Sequence, residues 1–392
     1  MGRWEREESK VLLVGFRAWC IKFWAGITLL RISLHTFKSP FLSIKALRLL
    51  AGQRKRLHGY SKDHKIAHAG GRYYWSIYLP GFPSRGFKDV IQREILKAFN
   101  KDAVQVPLQT LILSISSRCH YQCEHCFEGE NLSSEEHLSY SDLQHVMDDA
   151  LQNKIRHMQI GGGEPMLRLD DLLRLMEHAK GSMEFWLSTS GYGLTIDKAR
   201  SLKRSGLTGA TISLDHWDKE KHNDFRKHPE AYDWALEAVR NCNEAGILTN
   251  LTLCVTRAMA NEDKLMKYME LARDLNVPFV RFLEARKAGN YAGKDILLRK
   301  EEQKAVVDFY LKLNSGKQFR SYPIIQFPGY HQRQTGCFGA GNRYLHIDAK
   351  GNYLGCPFCR GAVGNVREML LAEAIPMLQN QGCQLFQTNR HV

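Results

Sequence analysis

Short apolar runs alternate with amphipathic helical stretches between residues 108 and 300. Six of the runs are rich in β-branched and aromatic residues, as strands are, and helical patterns such as NEDKLMKYMELARDL fall between them. Strands separated by helices in this way are typical of a parallel sheet built from βα units. The predicted strands are LILSIS (111–116), HMQIGGG (157–163), FWLSTS (185–190), ATISLD (210–215), NLTLCVT (250–256) and FVRFLE (279–284).

Six successive βα units predict an α/β fold, namely a partial TIM-like barrel. In such a barrel, functional residues lie at the carboxyl ends of the strands. The alternation stops near residue 300, where a helix over 301–314 leads into a turn-rich region. We therefore predict four parts, which are a basic, apolar helical extension over 1–57, an accessory region over 58–107, the barrel over 108–300 and a small C-terminal domain over 301–392.

The N-terminal extension is apolar and basic at the same time. Residues 1–65 hold fourteen Lys and Arg against four Asp and Glu, so this stretch supplies a net ten of the formal charge of +14. The apolar run over 11–33 contains Arg17 and Lys22, which disfavours a membrane span. Aromatic residues among basic ones suit a helix that lies in the interface of an anionic membrane. The alternatives are a helical layer packed on the barrel and, least favoured, a true span.

The ten cysteines indicate metal binding rather than disulfides. A disulfide framework suits a small secreted domain, whereas this chain has 44% hydrophobic residues and no recognisable cleavable signal peptide. We therefore expect a cytoplasmic protein, or one held peripherally on the inner face of the membrane, whose clustered cysteines are metal ligands. Nucleic acid is not expected as a partner, because outside the extension the charge is close to balanced.

The first cysteine cluster follows the first predicted strand directly. The sequence CHYQCEHC places Cys119, Cys123 and Cys126 in a C-x3-C-x2-C array. Three thiolates on one loop can hold three corners of a 4Fe–4S cluster and leave one iron open to an outside ligand. An open position distinguishes a catalytic metal site from a closed structural one. The alternatives are a zinc site completed by a nearby histidine, and three unrelated thiols.

This array and the segments after it resemble the radical S-adenosylmethionine (SAM) superfamily, over about residues 108–290. The resemblance implies that the three cysteines bind a 4Fe–4S cluster whose open iron is chelated by the amino and carboxylate groups of SAM. It also implies that His125 lies near the adenine. Relatives usually carry an aromatic residue at this position, so the histidine is a mild departure.

Three further motifs of the superfamily follow in order. After the second strand, Gly162-Gly163-Glu164-Pro165 resembles the GGEP motif that lines the amino group of bound SAM. Adjacent glycines let backbone approach a ligand closely, and a carboxylate suits an ammonium group. After the third strand, Thr189-Ser190-Gly191 stands where relatives often carry Thr-Asn-Gly. Ser213 and Asp215 share one face of the fourth strand, where relatives hold the SAM ribose, and strand-end capping is the alternative.

A second cysteine group lies in the C-terminal region, beside a predicted β-hairpin of RYLHID and YLGC joined by AKGN. This region resembles the auxiliary-cluster domains of SPASM relatives and their shorter twitch versions, which implies an auxiliary 4Fe–4S cluster. A full SPASM domain carries about seven cysteines for two clusters, so four favour the twitch type with one. A four-thiolate zinc site fits the count equally well. The four cysteines are Cys337, Cys356, Cys359 and Cys383.

The resemblance implies an enzyme that reductively cleaves SAM to a 5′-deoxyadenosyl radical, which abstracts hydrogen from a substrate. A reductant such as flavodoxin or ferredoxin would supply the electron. Relatives with this C-terminal region often modify peptides or proteins, so a peptide is the first predicted substrate. The second is a lipid, a lipid-linked substrate or a small metabolite at an anionic membrane surface that residues 1–57 would contact. A non-catalytic zinc or iron–sulfur electron-transfer module is the alternative of another class, disfavoured because such a site needs four protein ligands.

Overall fold

The computed structural model describes residues 12–58, 65–99, 108–383 and 385–386. The strands in these residues are β1 Leu12–Val14, β2 Lys65–Ala69, β3 Arg72–Tyr74, β4 Thr110–Ser116, β5 His157–Gly162, β6 Glu184–Thr189, β7 Leu207–Ser213, β8 Leu248–Val255, β9 Phe279–Glu284, β10 Ile324–Gln326, β11 Tyr344–Ile347 and β12 Tyr353–Leu354. The helices are α1 Gly15–Phe37, α2 Pro40–His58, α3 Arg85–Phe99, α4 Tyr140–Gln152, α5 Leu169–His178, α6 Ile196–Ser205, α7 Lys219–Arg226, α8 Ala231–Glu244, α9 Glu262–Asp274, α10 Lys300–Ser315, α11 Pro328–Thr335 and α12 Leu371–Gln381.

The central sheet is mostly parallel, and its six middle strands, β4 to β9, follow one another in chain order. All six strands predicted from the apolar runs are confirmed, and the predicted helix over 301–314 is α10. The complete strand order is β10-β9-β8-β7-β6-β5-β4-β11-β12, so β10 and β12 lie at the two ends. The molecule thus has the predicted α/β fold, in which helices alternate with parallel strands.

Burial of both sheet faces explains why the central strands are so apolar. Every residue of β8 is buried, as expected for a parallel strand covered by helices on one side and by the barrel interior on the other. The covering helices begin at clear signals. Ser139 starts α4 with a capping box to Asp142, and Asn261 caps α9. The strand ends are therefore held in fixed positions by a continuous packed core.

The C-terminal hairpin extends the central sheet. β11 and β12 pair antiparallel, which confirms the predicted hairpin. The sequence did not predict that β11 also pairs in parallel with β4, from Tyr344 opposite Thr110 to Ile347 opposite Leu113. Because β4 leads directly into the first cysteine loop, this pairing brings the C-terminal region next to that loop.

A small antiparallel sheet, formed by β1 of the extension and by β2 and β3 of the accessory region, packs on the barrel. Side chains of this sheet and the turn after it contact Trp186, Leu248 and Phe279 of the central strands. Within the described residues, no helix is both long enough and apolar enough to cross a membrane. Parts of the predicted extension and accessory region, 1–11, 59–64 and 100–107, lie outside the described residues.

Lys65 connects this small sheet to the barrel through hydrogen bonds. Its buried ammonium lies 3.0–3.3 Å from four backbone carbonyl oxygens at the end of α10 and in the segment after it. Such a group both satisfies the carbonyls and fixes the position of β2. The carbonyls belong to Leu313, Phe319, Tyr322 and Pro323.

We predict that Lys65→Met lowers the free energy of unfolding by about 1–3 kcal/mol, because buried carbonyl groups lose their donor. Urea unfolding followed by tryptophan fluorescence measures the change. Lys304→Met is the matched control, since the Lys304 side chain is 78% exposed, and it should alter stability by less than about 0.5 kcal/mol. Equal stability of the two variants would show that Lys65 does not hold the sheet in place.

Candidate active site

The loop after β4 carries the first cysteine cluster to the carboxyl edge of the sheet. Cys119, Cys123 and Cys126 line a cavity of about 1560 Å³ that extends from the strand ends to α1, α2 and the C-terminal region. Asn290, in the segment after β9, fixes the loop. Its side-chain amide donates to the Cys123 carbonyl at 2.9 Å, and its backbone N–H donates to the Cys126 carbonyl at 2.9 Å. The segment that follows β9 therefore holds the cysteine loop, which follows β4, in its conformation.

The cysteine loop is suited to a positively charged group. Burial raises the pKa of the Cys119 thiol to about 12 and that of the Cys126 thiol to about 11. Cysteines bind metals as thiolates, and burial removes the water that would stabilise the thiolate charge. A bound cation would supply that stabilisation and so allow these thiols to ionise. Three thiols on one loop thus fit the predicted iron–sulfur cluster by both their chemistry and their number.

Gly162 and Gly163 let the end of β5 lie against the cysteine loop. The Gly163 N–H donates to the Ser116 carbonyl at 2.7 Å, and the Glu164 N–H donates to the Arg118 carbonyl at 2.7 Å. A Cβ atom would lie 2.4 Å from the Ser116 oxygen at Gly162 and 2.2 Å from the Arg118 oxygen at Gly163. Neither position therefore admits a side chain. The sequence predicted that these glycines lie close to a ligand, and in the structure they lie close to the backbone of the cysteine loop.

Glu164 joins the ends of β5 and β6. Its carboxylate is buried and accepts hydrogen bonds from the Thr189 hydroxyl at 2.7 Å, the Ser190 N–H at 2.8 Å and the Ser190 hydroxyl at 2.5 Å. It also accepts from the Met166 N–H at 3.1 Å. Burial raises the pKa of Glu164, against the effect of these donors. A carboxylate in this position fixes both strand ends and presents negative charge to the cavity.

Asp215, Arg226 and Cys123 form a buried chain of contacts. The Arg226 Nε donates to Asp215 Oδ2 at 2.7 Å, and its Nη1 lies 3.7 Å from the Cys123 sulfur. The Cys254 N–H donates to the other Asp215 oxygen at 2.8 Å. Burial alone would raise the pKa of Asp215, but the Arg226 guanidinium holds it below its ordinary value. A permanent positive charge is therefore placed beside the cysteine loop.

His125 lies between these groups. Its ring stacks on Phe225 with centroids 4.5 Å apart, and its Nε2 lies 4.0 Å from Asp215 Oδ2. Burial lowers the pKa of His125 to about 4. In the described part of the chain its Nδ1 is buried without a hydrogen-bond partner, so this polar atom suits a ligand group.

The structure brings nearly all of the predicted SAM-binding residues to one cavity. The exception is Pro165, which is buried and starts a single helical turn beside the site. Arg226 was not predicted, because a lone arginine at the end of a short helix carries no motif, and only the fold shows that it contacts Asp215. The predicted residues that line the cavity are His125, Gly162, Gly163, Glu164, Ser190, Ser213 and Asp215.

The second cysteine group lines the same cavity. The Cys356 thiol donates to the Cys359 sulfur at 3.3 Å, which contributes to lowering the pKa of Cys359 to about 7. Cys383 interacts with both Cys337 and Cys359, so all four predicted residues are neighbours. Among the described residues no three metal-ligating groups surround a single ion, and a four-iron cluster spaces its thiolates more widely than one ion does. The group fits an iron–sulfur cluster by its chemistry and number.

Residues 113–275 match the family model of the radical SAM superfamily. The resemblance of this segment to the radical SAM superfamily, which the sequence motifs predicted, is therefore confirmed. The GTP 3′,8-cyclase of Aliarcobacter butzleri is 29% identical to the chain over 206 residues, which cover 50% of this chain and 61% of that protein. The chain thus matches less than two thirds of this relative's length.

Two solved structures share the fold. SuiB of Streptococcus suis bound to its precursor peptide SuiA superposes with a TM-score of 0.56 at 14% identity, covering 74% of this chain and 69% of that one. The anSMEcpe structure with bound AdoMet and the Cp18Cys peptide superposes with a TM-score of 0.57 at 17% identity, covering 72% and 84%. At these identities the likeness concerns the fold alone.

The Asp215–Arg226 pair can be tested in the protein without a cluster. We predict that Arg226→Gln lowers the free energy of unfolding by about 3–5 kcal/mol, because Asp215 is left as a buried, unpaired carboxylate. Adding Asp215→Asn should restore part of the loss, which a double-mutant cycle in urea measures. Arg200→Gln, which removes an exposed ion pair with Glu244, should cost less than about 1 kcal/mol. Independent, additive losses at 215 and 226 would contradict the pairing.

Proposed function

We propose that this protein reductively cleaves SAM at a 4Fe–4S cluster bound by Cys119, Cys123 and Cys126. The observation that carries the proposal is the meeting of these three thiols with the polar ends of β5, β6 and β7 on one cavity. When bound, the cluster and SAM together supply one-electron cleavage of the sulfonium, which gives methionine and a 5′-deoxyadenosyl radical that takes a hydrogen atom from the substrate. A flavodoxin or ferredoxin is the proposed electron donor.

The surrounding side chains have distinct roles in this proposal. Glu164 places negative charge near the ammonium group of SAM while holding the end of β6. Arg226 holds Cys123, and Asp215 holds Arg226, so both are positioning residues. Ser190 and Ser213 line the cavity and offer hydroxyl groups to the polar parts of SAM. The His125 ring, stacked on Phe225, offers a flat surface for the adenine.

We propose that Cys337, Cys356, Cys359 and Cys383 bind an auxiliary 4Fe–4S cluster. The support is their convergence on the cavity that also holds the first cysteine loop. A cluster there would line the cavity proposed to hold the substrate, where its role would be to accept an electron from a substrate radical or to position the substrate. Zinc is the alternative that the cysteine count allows, but among the described residues no three ligands are placed around a single ion.

The substrate is proposed to contain an apolar segment. SuiB and anSMEcpe bind peptides, but they share only the fold with this chain, at 14% and 17% identity. The relative from Aliarcobacter butzleri is a GTP 3′,8-cyclase, so the similar proteins do not agree on one substrate. In this chain, apolar side chains of α1, α2 and α3 line one end of the cavity, among them Leu29, Leu50 and Ile91. A wall of this kind favours a lipid or lipid-linked substrate over a peptide.

SAM cleavage is tested with anaerobically reconstituted protein, SAM and dithionite. We predict that Cys123→Ala abolishes the formation of 5′-deoxyadenosine, because two thiolates no longer hold a catalytic cluster. Cys242→Ala is the matched control, since this buried thiol lies in the core of α8 away from the cavity, and it should retain activity. No 5′-deoxyadenosine from the unaltered protein would favour a non-catalytic electron-transfer or zinc module.

The auxiliary cluster is tested by metal content. We predict about eight irons per chain in the reconstituted protein and about four in Cys356→Ala, since one of two four-iron clusters is lost. The variant should still form 5′-deoxyadenosine, because the first cluster keeps its three ligands. A stoichiometric zinc ion that disappears in Cys356→Ala would contradict the iron–sulfur assignment.

A further inference from the structure

Exposed apolar side chains are concentrated on α1 and α2. Thirteen large hydrophobic residues are exposed in the described part of the chain, and ten of them lie on these two helices. Single exposed hydrophobic residues are common on proteins, but a concentrated patch indicates a binding surface. The ten, hereafter the apolar surface, are Phe16, Trp19, Phe23, Trp24, Ile27, Leu30, Leu34, Phe41, Ile44 and Leu49.

Helix α1 is apolar on two opposite faces. Ile21, Ala25 and Leu29, spaced four residues apart, pack against Phe82 and Phe87 of the enzyme body. A second row of exposed residues recurs every three or four positions, so it forms a stripe on the other side of the helix. The inner face already anchors α1, and among the described residues nothing covers the outer face. That stripe consists of Phe16, Trp19, Phe23, Ile27, Leu30 and Leu34.

The positive charge of α1 and α2 indicates the kind of surface that the apolar surface would bind. Residues 15–58 hold nine Lys and Arg and no Asp or Glu. Basic side chains that are exposed beside the apolar surface include Arg31, Lys38, Lys45 and Arg48. Aromatic residues bordered by basic ones match an anionic bilayer, in which the rings enter the interface and the cations meet the lipid headgroups.

The inner side of the same two helices lines the cavity. Ala25, Gly26 and Leu29 of α1 line it together with Leu47 and Leu50 of α2. The cavity continues past β4 and the ends of β5 and β6 to the first cysteine loop. The part of the cavity that α1 and α2 line, hereafter the passage, is therefore continuous with the first cysteine loop.

We propose that the apolar surface docks this protein on an anionic lipid bilayer, and that the passage between α1 and α2 admits the acyl or isoprenoid chain of a membrane lipid to the cavity. The second part rests on the proposed function, because it supplies the substrate class for that reaction. The first part does not, since docking requires neither a cluster nor SAM.

Docking is measured by flotation with vesicles of phosphatidylcholine alone and of phosphatidylcholine mixed with phosphatidylglycerol. The proposal expects binding to the anionic vesicles that weakens as salt is raised. Replacing Phe16, Trp19 and Phe23 together by Ser should reduce binding by more than about tenfold. The matched control replaces the exposed Leu370 and Met377 by Ser, which should leave binding unchanged.

Two outcomes would overturn the docking proposal. One is failure of the unaltered protein to bind anionic vesicles. The other is a dimer in light scattering that the Phe16, Trp19 and Phe23 replacement converts to a monomer, because a second copy would then cover the apolar surface. Formation of 5′-deoxyadenosine in free solution is measured separately, so loss of docking and loss of the proposed reaction are distinguishable.

The passage is tested by narrowing it at Gly26. Gly26 lines the cavity, and a Cβ atom there meets nothing within 4 Å, so the backbone accepts a side chain and Gly26→Trp adds a bulky ring to this part of the wall. Gly52→Trp is the matched control, because Gly52 on α2 has equal space but does not line the cavity. The fluorescent fatty acid cis-parinaric acid is the probe.

The proposal expects Gly26→Trp to weaken the binding of cis-parinaric acid by at least about tenfold, and Gly52→Trp to leave it unchanged. Gly52→Trp should form 5′-deoxyadenosine from SAM at the rate of the unaltered protein, because Gly52 does not line the cavity. Absence of saturable binding by the unaltered protein, or equal binding by both variants, would show that the passage does not admit an apolar chain.

Discussion

Backbone contact between the end of β5 and the cysteine loop determines the geometry of the site. Two hydrogen bonds of 2.7 Å join Gly163 and Glu164 to the start of that loop. Gly162 and Gly163 have no side chains, so the backbone of β5 can lie directly against the loop backbone. From this point the Glu164 carboxylate continues the connection to the end of β6. On the other side, Asp215 connects the end of β7 to β8 and, through Arg226, returns to Cys123. The strand ends thus hold the loop from two directions.

The same sheet also sets the relation between the two cysteine groups. β4 ends at the first group, and β11 pairs with β4 before β12 leads into Cys356. Sheet continuity holds the C-terminal region against the barrel, together with contacts that Arg367 and Leu371 make to Asp142 and Asp149 of α4. Because one cavity is lined by both groups, a substrate held between them would be within reach of both. This arrangement is a physical reason to treat the C-terminal region as part of one reaction site.

Local patterns in the sequence were sufficient for the parts of the fold that depend on local interactions. Alternation of apolar runs and helices located all six central strands, and the resemblance to the superfamily indicated residues that line the cavity. The β11–β4 pairing joins segments more than two hundred residues apart, and strand pairing over that separation leaves no periodic signal. Arg226 was missed for the same reason, since its role depends on where α7 lies relative to Asp215. The charge and hydrophobicity of α1 indicated an interface helix, but its contribution to the cavity wall required the three-dimensional arrangement.

Radical chemistry gives the position of α1 and α2 a further significance. A reactive radical must be kept from water and from unintended partners, so an open apolar mouth is a liability in an enzyme that works in free solution. The described cavity extends from the cysteine loop to the inner side of these helices, and their outer side presents Phe16, Trp19 and Phe23 to the surroundings. A bilayer against that surface would cover the exposed rings and exclude water from the mouth of the passage. Under the two proposals, docking and protection of the radical are consequences of one contact, and both apolar faces of α1 have a use.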